Sequence, residues 1–158
     1  MEFTPLTAIS PIDGRYHSKT VSLAGYFSEW ALFKYRVWVE VEYFIALTQT
    51  DVPALAGFND EKNESLRALY REFSEADAAK IKTIERITNH DVKAVEYWLK
   101  ERFEKLGLGE FKEYIHFGLT SQDVNNTSVP MSIRDAVQEV MIPQLKELVF
   151  TLDKMAFE

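Results

Sequence analysis

Three short clusters in this sequence combine residue types and spacings that could bind an anionic substrate and move a proton on it. In Asp13-Gly14-Arg15-Tyr16, a glycine that permits a tight turn precedes an arginine whose planar fork of donors suits a phosphate or a carboxylate. The same residues would also serve as a surface arginine beside a turn and a packing aromatic. In Asn89-His90-Asp91, three polar side chains fall between two helix-patterned stretches. Amides at a helix start lack internal partners and carry partial positive charge, so such a joint can surround an anion, and a neutral imidazole there can donate or accept a hydrogen bond. A plain helix cap with a dipole-complementing acid is the competing role. In Thr120-Ser121-Gln122-Asp123-Val124-Asn125-Asn126, two adjacent hydroxyls stand at another helix start and could hold a carboxylate or phosphate, or simply cap the helix. His116, four residues earlier, is expected to pack beneath this turn rather than to ligate anything, and His17 has no identifiable partner.

The elements that must position these clusters read as all-α. The chain has 6 glycines and 5 prolines, and they fall between long helix-patterned stretches rather than between alternating strands and helices. Pro5, Pro11 and Gly14 keep the segment to Tyr16 irregular, an expected extended arm. Between Ser28 and Thr48, Val37, Val39, Val41 and Tyr43 alternate as in a half-buried strand. Trp30, Phe33, Val37, Val41, Phe44 and Ile45 also keep helical steps over a span too long for an ordinary strand, so length decides for a helix. After a linker from Gln49 to Asn63, Leu66, Leu69, Tyr70 and Phe73 give a short amphipathic helix. Ser74 with Asp77 resembles a capping box that starts the next helix, which stops near Thr88. Asn89 is expected to be the N-cap of a helix carrying Val92, Val95, Leu99, Phe103 and Leu106, ended by Gly107 and Gly109.

From Thr120 or Ser121 a last helix is expected to run to the end, kinked but not ended by Pro130 and Pro143. Its stripe of Ile133, Val137, Val140, Met141, Leu145, Leu148, Val149, Leu152 and Met155 has no later helix to pack against. At 1.5 Å per residue such a helix spans roughly 57 Å, more than the width of a domain of this size. The stripe therefore points to an intermolecular bundle, or to a chain cut from something longer.

Composition narrows the chemistry. The 158 residues carry 18 Lys+Arg against 25 Asp+Glu, a formal net charge of −7, which disfavours non-specific attraction to nucleic acid or an anionic membrane. The absence of cysteine excludes disulfides, thiolate zinc sites and thiol nucleophiles within these residues and fits a reducing cytoplasm. The 3 histidines lack metal-binding spacing, no phosphate-binding glycine loop or dinucleotide fingerprint occurs, no uncharged run reaches the length of a membrane span, and the first residues are not expected to act as a signal peptide.

Taken in order, Ser10-Pro11-Ile12-Asp13-Gly14-Arg15-Tyr16, the stretch from Lys80 through Tyr97, and Thr120 through Asn126 resemble the adenylosuccinate lyases of the fumarase/aspartase superfamily. The resemblance covers the whole chain but only the N-terminal part of the family's sequence. It implies the L-aspartase-like fold: an N-terminal helical domain over residues 1–112, then at 113–158 the first long helix of a central bundle that assembles as a homotetramer. It implies β-elimination of fumarate from a nucleotide substrate, without metal or redox cofactor. By motif, Arg15 and Tyr16 would bind the nucleotide. Asn89, His90 and Asp91 would line the same pocket, with His90 in a supporting catalytic role, and Thr120 and Ser121 would donate to the succinyl carboxylates. The family's later T-H-x-Q-P and S-S-x-M-P-x-K-x-N segments, which carry the main acid and base, have no counterpart before Glu158, so this chain alone is expected to be inactive. Another fumarate-releasing lyase of the argininosuccinate lyase type, or a non-catalytic helical interaction module, are the alternatives.

Overall fold

The computed structural model describes residue 2 and residues 4–157. Eight α-helices are found among the described residues: α1 (His17–Thr20), α2 (Ala24–Phe27), α3 (Glu29–Thr48), α4 (Asn63–Arg71), α5 (Glu75–Thr88), α6 (Asp91–Lys105), α7 (Ser121–Ala136) and α8 (Ile142–Phe157). There is no strand among them. Contacts group the chain into two compact units, Leu32–Met131 and the pair Met1–Ala31 with Ser132–Glu158.

In the unit Leu32–Met131, α3 is buried on more than one side: Phe33, Val37, Val41 and Phe44 are in the core, and so are the charged Arg36 and Glu40. Burial around the helix explains why its sequence also alternated like a strand. Phe44 meets Phe58 and Phe103 edge-on at 5.4 and 4.8 Å between ring centroids, and Trp38 stacks on Tyr70 at 5.1 Å. The expected capping box is present: Ser74 Oγ accepts from the Asp77 amide, and Asp77 Oδ2 accepts from the Ser74 amide at 3.1 Å. The helix α6 buries Val92, Val95, Leu99 and Phe103 as their spacing requires, and Trp98 and Ala94 beside them. It ends at Gly107, whose φ of +73° is a backbone state that favours glycine.

The assignment of Asn89 as N-cap is corrected. Asn89 closes α5 in the left-handed region (φ 50°, ψ 30°), and His90, extended at φ −150°, caps α6. Asparagine suits either role. Here the two helices meet within two residues, so the chain must reverse through one left-handed residue before α6 begins.

In the other unit, residues 4–16 are wound into turns, which corrects the expected extended arm. The Thr7 and Ala8 amides donate to the Thr4 carbonyl at 3.0 and 2.9 Å, and the Gly14 and Tyr16 amides to the Ser10 and Pro11 carbonyls at 3.1 and 2.9 Å. Gly14 is required by close approach, since a Cβ there would stand 2.7 Å from the Pro5 carbonyl oxygen. Between α7 and α8 lies a π-helical turn, Val137–Met141, in which the Ile142 amide bonds back to the Val137 carbonyl. Pro143 has no N–H for the Glu139 carbonyl and its ring would crowd that oxygen, so widening this turn accommodates the proline without ending the helix. Pro130 lies inside α7. Leu145, Leu148, Val149, Leu152 and Met155 are all exposed along α8. No helix among the described residues is long and apolar enough to cross a membrane.

Candidate functional site

The second and third clusters meet within the unit Leu32–Met131. His90 caps α6 by accepting the Lys93 amide at Nδ1, 3.2 Å away, and its Nε2 lies 3.3 Å from Ser121 Oγ at the start of α7. The cap fixes the tautomer of the neutral ring: Nδ1 must accept, so the proton sits on Nε2 and is donated toward Ser121 Oγ. Ser121 keeps its own hydroxyl proton for another acceptor.

The two helix starts differ in what they leave open. At α6 the Val92 amide is taken by Asp91 Oδ1 at 2.9 Å and the Lys93 amide by His90. At α7 the Thr120 carbonyl receives the Asp123 amide at 3.1 Å, and Asp123 Oδ2 returns to the Thr120 amide at 2.7 Å. The Ser121 and Gln122 amides, which an α-helix cannot pair internally, remain directed at whatever sits before the helix. An anion is therefore better served by the Ser121 and Gln122 amides at the start of α7 than by those of Val92 and Lys93 at the start of α6.

Arg36 joins the two starts. It is 5% exposed, its Nη1 lies 2.7 Å from Asp91 Oδ2, and its Nε donates to Asn125 Oδ1 at 3.0 Å. Burial pushes the Asp91 carboxyl up, but the Arg36 charge and the Val92 amide outweigh it and hold Asp91 below the usual carboxylate range. Asp91 is thus an anchor in this cluster, and Asn89 is committed to the backbone turn.

One helical turn further along α3, Glu40 Oε1 lies 2.5 Å from His116 Nδ1, and Tyr43 donates to the Phe117 carbonyl at 2.8 Å. His116 is half-buried against α3, four residues before Thr120. The hydrogen bond with Glu40 raises the His116 pKa above its ordinary 6.5 against the opposing effect of burial. Its contribution to stability is therefore complete below about pH 6.5 and is lost as pH rises through the elevated folded value.

Arg15 and Tyr16 belong to the other unit, where both are exposed and the Arg15 guanidinium sits 5.1 Å from the Tyr16 ring centroid. Sequence reasoning missed Arg36 and Glu40. The signal was available for Glu40, which stands at a core step of the Phe33, Val37, Phe44 register, where a charged residue calls for a buried partner. Among the described residues no group of histidine and acidic side chains could hold a metal ion.

Comparison with known proteins adds a family to this geometry. A sequence-family model described as "Lyase" matches residues 14–158. The adenylosuccinate lyase of Dictyostelium discoideum is 53% identical over 151 residues, which are 93% of this chain and 32% of that protein. Those of Vibrio cholerae and of Escherichia coli strain K12 are each 45% identical, over 160 and 163 residues, covering all of this chain and 35% of theirs. The chain spans about a third of the length of the curated relatives it matches.

Proposed function

The chain belongs to the Lyase family, and on that premise we propose that it carries the N-terminal, substrate-binding part of an adenylosuccinate lyase. The reaction is a β-elimination: a base removes a proton beside a carboxylate, an acid protonates the departing nitrogen, and fixed donors hold the charge that develops. Fumarate leaves, adenylosuccinate becomes AMP, and the succinyl-carboxamide ribotide becomes the aminoimidazole carboxamide ribotide, two steps of purine synthesis.

The observation that carries this reading is the His90–Ser121 approach at 3.3 Å, which unites two motifs separated by thirty residues of sequence. In the proposal Thr120 and Ser121 donate hydroxyl hydrogen bonds to a succinyl carboxylate, and the Ser121 amide, which has no partner within the helix, adds a backbone one. His90, bonded to Ser121 through Nε2, orients that hydroxyl toward the substrate and supports proton transfer from beside it. Asn89 and Asp91 line the same pocket, and Arg15 and Tyr16 bind the nucleotide phosphate. A chain of net charge −7 that binds an anionic substrate needs such local donors.

We further propose residues 1–112 as the N-terminal helical domain and 113–158 as the start of the central bundle. Copies of the full-length protein would cover the exposed α8 stripe in a homotetramer. The proposed setting is the cytoplasm, with no metal, redox cofactor, nucleic acid or membrane as partner.

Thermal unfolding tests the substrate class. A ligand that binds only the folded chain stabilises it by RT ln(1 + [L]/Kd), about 1.4 kcal/mol at tenfold excess over Kd, or roughly 3–6 °C in Tm for a chain of this size. AMP or adenylosuccinate is expected to give such a rise. A rise with argininosuccinate in place of both would move the chain to the other lyase. Fumarate release from adenylosuccinate by the purified 158-residue chain would overturn the assignment of the main acid and base to segments that it lacks.

A further inference from the structure

We propose that Glu40 is a positioning residue of the His90–Ser121 site, acting through His116 to hold the bend that delivers Thr120 and Ser121 to His90. The inference rests on the reading of that site given above.

Three observations carry it. The Glu40 side chain is fully buried, in a helix whose neighbouring positions are core hydrophobics, and its Oε2 has no partner among the described residues. A carboxyl group in such a place weakens the core unless its other oxygen has a use, and that oxygen meets His116 Nδ1 at 2.5 Å. His116 itself stands at φ +60°, a left-handed conformation that non-glycine residues adopt under constraint, and Gly118 follows at φ +72°. The backbone thus reverses twice in three residues just before Thr120, and α3 grips this bend at two points, Glu40 on His116 and Tyr43 on the Phe117 carbonyl.

The grip is chemically asymmetric. Tyr43 holds a carbonyl with a neutral hydroxyl, whereas Glu40 holds a ring that can gain or lose a proton. The charged groups around that ring are Glu40 from α3 and Glu96 and Lys93 from α6. Glu96 is tied to Lys93 at 2.8 Å and to Lys100 at 3.2 Å, which leaves Glu40 as the group that bonds His116 directly. Loss of the His116 proton should loosen the bend and be felt at Thr120 and Ser121, a few residues along the chain.

A pH titration of the 158-residue chain followed by NMR of the histidine rings and backbone amides tests this without any ligand. A failed substrate-binding experiment therefore bears on the proposed function and not on this result. The amides of Thr120 and Ser121 are expected to show an inflection at the His116 midpoint, separate from any at the midpoint of His90. In Glu40→Gln, which removes the charge that raises it, His116 should bind its proton more weakly, and the Thr120 and Ser121 inflection should move to lower pH with it, with partial return in Glu40→Asp. Thr120 and Ser121 amides that follow His90 alone, or that keep their inflection unmoved in Glu40→Gln, would overturn the proposal. Should Glu40→Gln fail to fold, the wild-type titration decides, with His116→Asn as the variant in which the inflection must vanish.

Discussion

Replacing Trp98 by alanine is expected to lower the unfolding free energy by about 4 kcal/mol, a fall in Tm of roughly 8–16 °C for a chain of this length. Trp98 is 1% exposed and is the largest of the fully buried side chains. It meets Phe73 edge-on at 5.5 Å, and the Arg102 guanidinium covers its ring at 4.8 Å. Arg102 in turn pairs with Asp77, the capping-box residue of α5, so the indole sits where α6 closes on its neighbours. Removing it opens a cavity that these rigid neighbours cannot fill. Trp98→Phe should cost far less, about 1 kcal/mol, because it keeps an aromatic edge for Phe73 and deletes an indole N–H that is buried without an acceptor among the described residues. Thermal or urea unfolding by circular dichroism checks both, and equal losses in the two variants would show that the indole's volume is not what holds the helices.

Arg36→Ala is the second large effect, and it falls on the site as well as on stability. The change removes an ion pair to α6 and a hydrogen bond to α7 with one side chain. Breaking a fully buried pair costs about 3–5 kcal/mol because a charge is stranded. Asp91 is 45% exposed and can rehydrate, so the expected loss is smaller, about 2–3 kcal/mol, or roughly 4–12 °C in Tm. The more specific outcome is positional: with the clamp gone, the nuclear Overhauser contact between the His90 ring and Ser121 should weaken or vanish while the α5–α6 core stays folded. Arg71→Ala, which removes an exposed pair with Glu64, is the control and should leave that contact intact. A preserved contact in Arg36→Ala would mean that the helix starts are held by core packing alone.

The sequence made legible whatever depends on local pattern. Ser74 and Asp77 announce a helix start because each side chain has one amide to satisfy, and Val92, Val95, Leu99 and Phe103 announce a buried face because their spacing leaves no other side for them. Asparagine suits both a helix start and a left-handed helix end, and which one it serves depends on the residue at which α5 stops, which local pattern does not decide. The turns before Tyr16 are not legible as turns, because prolines forbid a helix without choosing among the alternatives. Arg36 and Glu40 escaped for a related reason. A charge inside an apolar register signals a partner, but its partners at 91, 116 and 125 lie far along the chain, and only folding brings them to α3. The candidate clusters are visible as motifs, while the division of labour within them is not: Asn89 turns the backbone, Asp91 pairs with Arg36, and His90 approaches Ser121.

A titration of the 158-residue chain with adenylosuccinate, followed on backbone amides and histidine rings, decides whether His90, Thr120 and Ser121 form a substrate site. The resonances of His90, Thr120 and Ser121 are expected to move together and saturate, and those of Arg15 and Tyr16 to respond to the same ligand. Argininosuccinate at the same concentration should leave them unmoved. Resonances of His90, Thr120 and Ser121 that stay fixed at millimolar adenylosuccinate, or that respond to argininosuccinate instead, would contradict it.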